Sequence, residues 1–133
     1  MLRKCCFLGL ALVGAGCLSG CDKNSSAQPT CYSGVVLRDR CWDGILLQVD
    51  RQFPIGTSIS SLTGPDSLGN TNVIAAVNSL GTLGVRGQRI SFTFTNDPAQ
   101  QAPLRACTHD QIPLPIPHLV LANISATPCA QPW

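Results

Sequence analysis

The sequence predicts an all-β fold: a small five- to six-stranded barrel or sandwich, with an OB-like barrel preferred and disulfides holding it. Three observations carry that prediction. Residues 89–95 alternate Ile90, Phe92 and Phe94 with Ser91, Thr93 and Thr95, which gives an extended segment one apolar and one polar face. Gly56, Gly64-Pro65, Gly69, Gly81, Gly84 and Gly87 punctuate the chain between short apolar runs. No helical period is sustained, and there is no internal repeat of fixed spacing. A chain of 133 residues suits one ordinary domain and has no room for two.

Taken in order, residues 33–38 and 45–50 are short apolar runs with β-branched members, separated by a turn containing Asp43-Gly44. Residues 72–77 are apolar almost throughout and fit either a buried strand or one to two helical turns. Residues 89–95 are the clearest strand and residues 119–124 the closing one, with a further short strand expected over 57–62. Five or six strands in about one hundred residues make a small barrel, expected to be partly open.

Charged residues make up 12% of the chain, about half the usual share of roughly a quarter, and hydrophobic residues 44%. Charge-driven disorder, a long coiled coil and a strongly basic nucleic-acid binder are all poorly matched by that composition.

The N-terminus has three zones. Arg3 and Lys4 supply a positive start, residues 7–16 an apolar run, and Leu18-Ser19-Gly20-Cys21 a close of small residues, the pattern of an export signal. Residues 7–19 number 13, well short of the roughly 20 that span a bilayer as a helix. Leu18-Ser19-Gly20-Cys21 resembles the lipobox of bacterial lipoproteins, in which the cysteine receives a thioether-linked diacylglycerol before cleavage in front of it. Gly14-Ala15-Gly16-Cys17 lacks the aliphatic residue three places before its cysteine.

The resemblance implies a signal peptide over 1–20, lipidation at Cys21, a flexible tether over 21–30 and a single small β domain over 31–133. It also implies a bacterial cell envelope location, anchored in a membrane. Asp22 after the acceptor cysteine is, in that family, an inner-membrane retention signal that Lys23 weakens, so inner or outer membrane stays open. Residues 22–30 are polar and small, with too little apolar surface to order themselves. The spacing from Cys31-x-x-Gly34-Val35-Val36 to Cys41-x-x-Gly44-Ile45-Leu46 also resembles the small β-barrel domains of uncharacterised envelope lipoproteins.

Cleavage before Cys21 leaves seven basic residues against seven acids, all Asp, so nothing steers the domain toward nucleic acid or anionic lipid. It also leaves Cys31, Cys41, Cys107 and Cys129, an even set that in an exported domain reads as two disulfides. No CxxC knuckle supports a zinc site. Cys31 and Cys41 flank the first strand, too far apart for a bridge if that strand is extended. Cys31–Cys129 with Cys41–Cys107 is expected if the closing strand runs antiparallel to the first, and 31–107 with 41–129 if it runs parallel. The nested pair is preferred because it seals both chain ends, a loop near one hundred residues contributing roughly 4–5 kcal/mol in the chain-entropy model.

Cys107-Thr108-His109-Asp110 with His118 is the local cluster that invites chemistry, since His109, His118 and Asp110 are metal-ligand types. No strand register brings them together, so the reading is a disulfided loop with two surface histidines and no metal, cofactor or catalytic residue. Replacing either histidine by Ala is then expected to change stability by no more than roughly half a kcal/mol. No Gly-x-Ser-x-Gly elbow supplies a nucleophile and no Glu is present for paired carboxylate chemistry. Arg38, Arg40, Arg86 and Arg89 are offset by Asp39, Asp43 and Asp50, while Phe92 and Phe94 read as core rather than as stacking platforms. Pro113-Leu114-Pro115-Ile116-Pro117 must be extended, as a stiff covered loop or as an apolar docking ridge joined by Trp42 and Trp133.

The functional expectation is a membrane-anchored, non-catalytic binding or assembly module of the envelope. Its expected partners are membrane lipid through Cys21 and an envelope protein, with no nucleic acid. The alternative is a small hydrolase or metal-binding protein using the 107–118 loop.

Overall fold

The computed structural model describes residues 31–59, 71–108 and 112–130. Five strands, β1 (Tyr32–Arg40), β2 (Gly44–Val49), β3 (Val73–Ala76), β4 (Arg89–Thr95) and β5 (His118–Ser125), close into one barrel in the order β1-β2-β3-β5-β4. Every neighbouring pair is antiparallel except β3 with β5. This is the five-stranded Greek-key barrel of the OB type.

The barrel is closed where a partly open one was expected. The β3–β5 seam rests on two residue pairs, Ala75 with His118 and Ala76 with Leu119, extended by the Val77 N–H donating to the Leu119 carbonyl at 3.0 Å. Asn78 then completes it. Its amide donates to the Leu121 carbonyl and accepts from the Leu121 N–H, both at 2.8 Å, standing in for the next peptide of the ladder.

Alternation places Tyr32, Val36, Leu47, Val49, Ile74, Ala76, Ile90, Phe92, Leu119 and Leu121 inside, with Leu80 inserted from the β3–β4 connection. A second apolar layer lies outside the barrel. A bulge in β1 between Val36 and Arg38 leaves Leu37 among this outer set, which Leu46, Val73 and Ala75 share with the covering side chains Ile59, Ile116 and Leu114. β2 and β3 are therefore buried on both faces. That is why residues 72–77 show no alternation and could not be told from a helix by pattern. Thr57 makes only an isolated bridge to Val73; residues 60–62 of the further strand expected there lie outside the described residues.

On β4, Ser91 is covered rather than exposed, its hydroxyl donating to the Thr127 carbonyl at 2.6 Å, so the C-terminal segment lies over that part of the polar face. Tyr32 gathers Phe53, Phe92 and Phe94 around it, with ring centroids 4.9 to 5.9 Å apart.

Cys31 bonds Cys129 and Cys41 bonds Cys107, each pair with Cα atoms 5.8 Å apart. The nested pairing is present, but the strand direction that had been its premise is not. β1 and β5 both run antiparallel to β4 and are therefore parallel to each other. Barrel stagger makes the pairing feasible: Ser33 of β1 and Ser125 of β5 both pair with Ser91, so the start of β1 lies level with the end of β5.

The β1–β2 turn spans three residues, with Arg40 opposite Gly44. Gly44 has φ +94°, and a Cβ there would stand 2.2 Å from the Ala76 carbonyl oxygen. Gly44→Ala should lower stability by at least about 2 kcal/mol, from left-handed strain plus displacement of β3. Urea unfolding measures this, and a loss under half a kcal/mol would contradict the packing described.

Candidate functional site: a cleft at the far end of the first strand

The β1–β2 turn carries the charge most deeply buried in the described structure. Asp43 has no exposed side-chain surface. Its Oδ1 accepts the Leu114 N–H at 2.7 Å and lies 2.9 Å from His118 Nε2, while Oδ2 faces Arg40 Nε at 3.3 Å. A carboxylate only accepts, so the Nε2 proton of His118 lies toward it. The turn residue that looked like punctuation is thus the pin between the β1–β2 turn and the segment that enters β5.

His118 was expected at the surface. It is 11% exposed and held by Asp43, because β5 begins beside β3 under the proline-rich segment. His109 and Asp110, the other metal-ligand candidates, lie outside the described residues. Among the described residues no group of three or more His, Cys, Asp or Glu could hold a metal ion. Cys107 is committed to its disulfide.

The segment from Pro113 to Pro117 is not the extended run expected: it bends at Pro115 and Ile116, where the Ile116 N–H donates to the Leu114 carbonyl at 2.8 Å, and Leu114 and Ile116 both pack in the outer apolar layer, Ile116 being 7% exposed. The docking-ridge reading is therefore not met by these two side chains, whereas Ile112 just before them is 80% exposed. Trp133 lies outside the described residues and Trp42 is half-buried. OB barrels commonly bind ligands on the face of β2 and β3. Here that face is filled by the chain's own Leu114, Ile116 and Ile59.

Of the arginines read from sequence, Arg40 faces Asp43, Arg89 bonds Asp50, and neither Arg38 nor Arg86 lacks a partner. Arg105 escaped the sequence reading. Its guanidinium grips both oxygens of Asp39, at 2.6 and 2.9 Å, and its Nε donates to the Cys41 carbonyl at 3.0 Å. The contact spans 66 residues, so no local pattern announces it. The two hydrogen bonds from Arg105 hold the Asp39 carboxyl below its ordinary value against a smaller opposing effect of burial, and Asp39 raises Arg105 in return.

The arm anchored by Arg105 and Cys107 stands off the barrel and leaves a cleft of about 450 Å³. Ile45, Val77, Pro103 and Leu104 give it aliphatic surface, and Ser79 and Gln100 give it hydrogen-bonding groups beside the Asp39–Arg105 pair. The pair is internally neutralised, and no aromatic ring lines the cleft to stack on a base or sugar. His118 and Asp43 do not line it. What this geometry can do is hold an uncharged group with both aliphatic and amide character. Comparison of the chain with protein-family models, with curated proteins and with solved structures found no match.

Three substitutions test these contacts. Asp43→Ala should cost about 3–5 kcal/mol by orphaning the groups around it, and His118→Ala about 1–3 kcal/mol, as read from unfolding midpoints; a His118→Ala loss within half a kcal/mol would restore the surface reading. Asp39→Asn, at a half-exposed and solvent-screened site, should cost under about 1 kcal/mol at pH 7. Because the folded carboxyl is held below its ordinary 3.8, its contribution is present above that value and fades as pH falls through the lower folded one. A gap between the two proteins that stays constant into strong acid would remove the ion pair from the explanation.

Proposed function

We propose that this chain is a membrane-anchored bacterial envelope lipoprotein whose barrel is a non-catalytic binding or assembly module, with the cleft beside Asp39 and Arg105 as its working surface. The observation that carries the reading is the sequence Leu18-Ser19-Gly20-Cys21, followed within ten residues by a domain closed by two disulfides. Disulfides of that kind persist in oxidising, exported settings and are rare in the reducing cytosol of ordinary mesophiles. The binding part of the reading rests on the cleft; the non-catalytic part rests on His118 and Asp43, which are spent on one another and on the Leu114 backbone.

The course of β1 separates the cleft from the start of the domain. Ten residues from Cys21 span at most about 35 Å by covalent geometry alone. Cys31 immediately precedes β1, whereas Asp39 lines the cleft at the strand's other end, about 26 Å away at 3.3 Å per residue. The cleft thus lies at the opposite end of β1 from the point where the domain joins the anchor segment, which supports another component of the envelope as its partner.

Lipidation and attachment are tested together. Cys21→Ser should release the chain from membranes or leave it as uncleaved precursor, since a diacylglyceryl group with a further amide-linked chain exceeds what stable anchoring needs. An unmodified Cys21 in the intact mass of the mature protein would sink the anchor.

A further inference from the structure

The disulfide pattern has a chemical consequence for how the domain is made. Cys31 and Cys41 are ten residues apart and Cys107 and Cys129 are 22 apart, yet each bonds a cysteine of the other pair, at separations of 98 and 66. In an unfolded chain the closure probability falls as about the 3/2 power of loop length. A 31–41 bridge is then favoured roughly thirtyfold over 31–129, and roughly seventeenfold over 41–107. Cys31 and Cys41 are also the first two of the four to emerge when the chain is delivered N-terminus first. Once they bond, only the 107–129 bridge is left.

That fully oxidised isomer cannot become the barrel. β1 occupies residues 32–40 as one extended strand, and its length of about 30 Å exceeds several-fold the roughly 7 Å between Cα atoms that a disulfide tolerates. Nor can the isomer rescue itself. On the reading given under Proposed function, on which this inference rests, Cys5, Cys6 and Cys17 leave with the signal and the Cys21 sulfur carries lipid. No free thiol remains in the chain.

We propose that this domain is a client of a thiol–disulfide isomerase, a partner that supplies a thiolate and takes it back. The exchange balances in three steps. The catalyst's thiolate attacks Cys31 Sγ, forming a mixed disulfide and expelling the Cys41 thiolate. Cys41 attacks Cys107 Sγ, forming 41–107 and expelling the Cys129 thiolate. Cys129 attacks Cys31 Sγ, forming 31–129 and returning the catalyst's thiolate. Two disulfides enter and two leave, with no net oxidation and no net proton.

The test uses the full chain with Cys5, Cys6, Cys17 and Cys21 replaced by Ser, so that it does not depend on lipidation, which the intact-mass measurement above decides separately. Reduced, denatured chain is diluted into detergent buffer with diamide alone, and the bridges are mapped as peptides without reduction. The 31–41 and 107–129 peptides should exceed the nested ones about tenfold, and one tenth of an equivalent of dithiothreitol should then convert them to 31–129 and 41–107. Nested bridges at the earliest time point without thiol, or local bridges that dithiothreitol does not convert, would overturn the proposal. The same chain with Cys41→Ser and Cys107→Ser added should form 31–129 with diamide alone; continued dependence on thiol there would also overturn it.

Discussion

The carboxylate of Asp43 is the constraint around which the outer half of this molecule is arranged. A charge without exposed surface is costly unless it is paired; two contacts meet Oδ1, while Oδ2 accepts no hydrogen bond and faces Arg40 as an ion pair. Arg40 comes from the end of β1, the Leu114 N–H from the proline-rich segment, and His118 from the first residue of β5. The same three contacts set the path of the chain: they bring Leu114 and Ile116 over Leu46, Val73 and Ala75, which buries both faces of β2 and β3. The proline-rich segment is therefore part of the core, although it contributes few backbone hydrogen bonds of its own.

Around this pin the long β4–β5 connection is held at three further points. Cys107 bonds Cys41, Arg105 clamps Asp39 while accepting no help from local sequence, and the Pro117 carbonyl receives the Ala75 N–H at 2.9 Å. An arm fixed at both ends and bowed between them leaves space beneath it, and the cleft is that space. Its neutrality has the same origin, because the arginine that anchors the arm also cancels the charge of Asp39. The β2–β3 face, the usual OB binding surface, is occupied by the chain's own side chains, whereas the cleft at the rim is open.

Four of the five strands were readable in the sequence to within two residues at each end, whereas residues 72–77 fitted a strand or a helix equally. β4 announced itself by alternation, since one face meets the barrel interior and the other a polar environment. β3 did not, since both of its faces are apolar, and only its position between β2 and β5 decides that residues 73–76 are a strand. The site was much less legible. Asp43 before Gly44 reads as an ordinary turn, and its burial depends on a segment some 70 residues away. His118 looked like a surface residue for the same reason.

The sequence by itself determined the quantities that depend on short spans: the apolar and polar faces of β4, the turn at Gly44 and an even set of four cysteines after Cys21. Local sterics and side-chain alternation act within a few residues, so those features need no knowledge of the rest of the chain. Tertiary structure decided everything that depends on stagger and closure. Parallel β1 and β5 meet the same Ser91 only because the closed barrel offsets its strands, and this offset, not strand direction, brings Cys129 to Cys31. The Asp39–Arg105 clamp, the cleft it lines and the burial of Asp43 arise likewise from long-range closure, where the energy lies in contacts that no window of sequence contains.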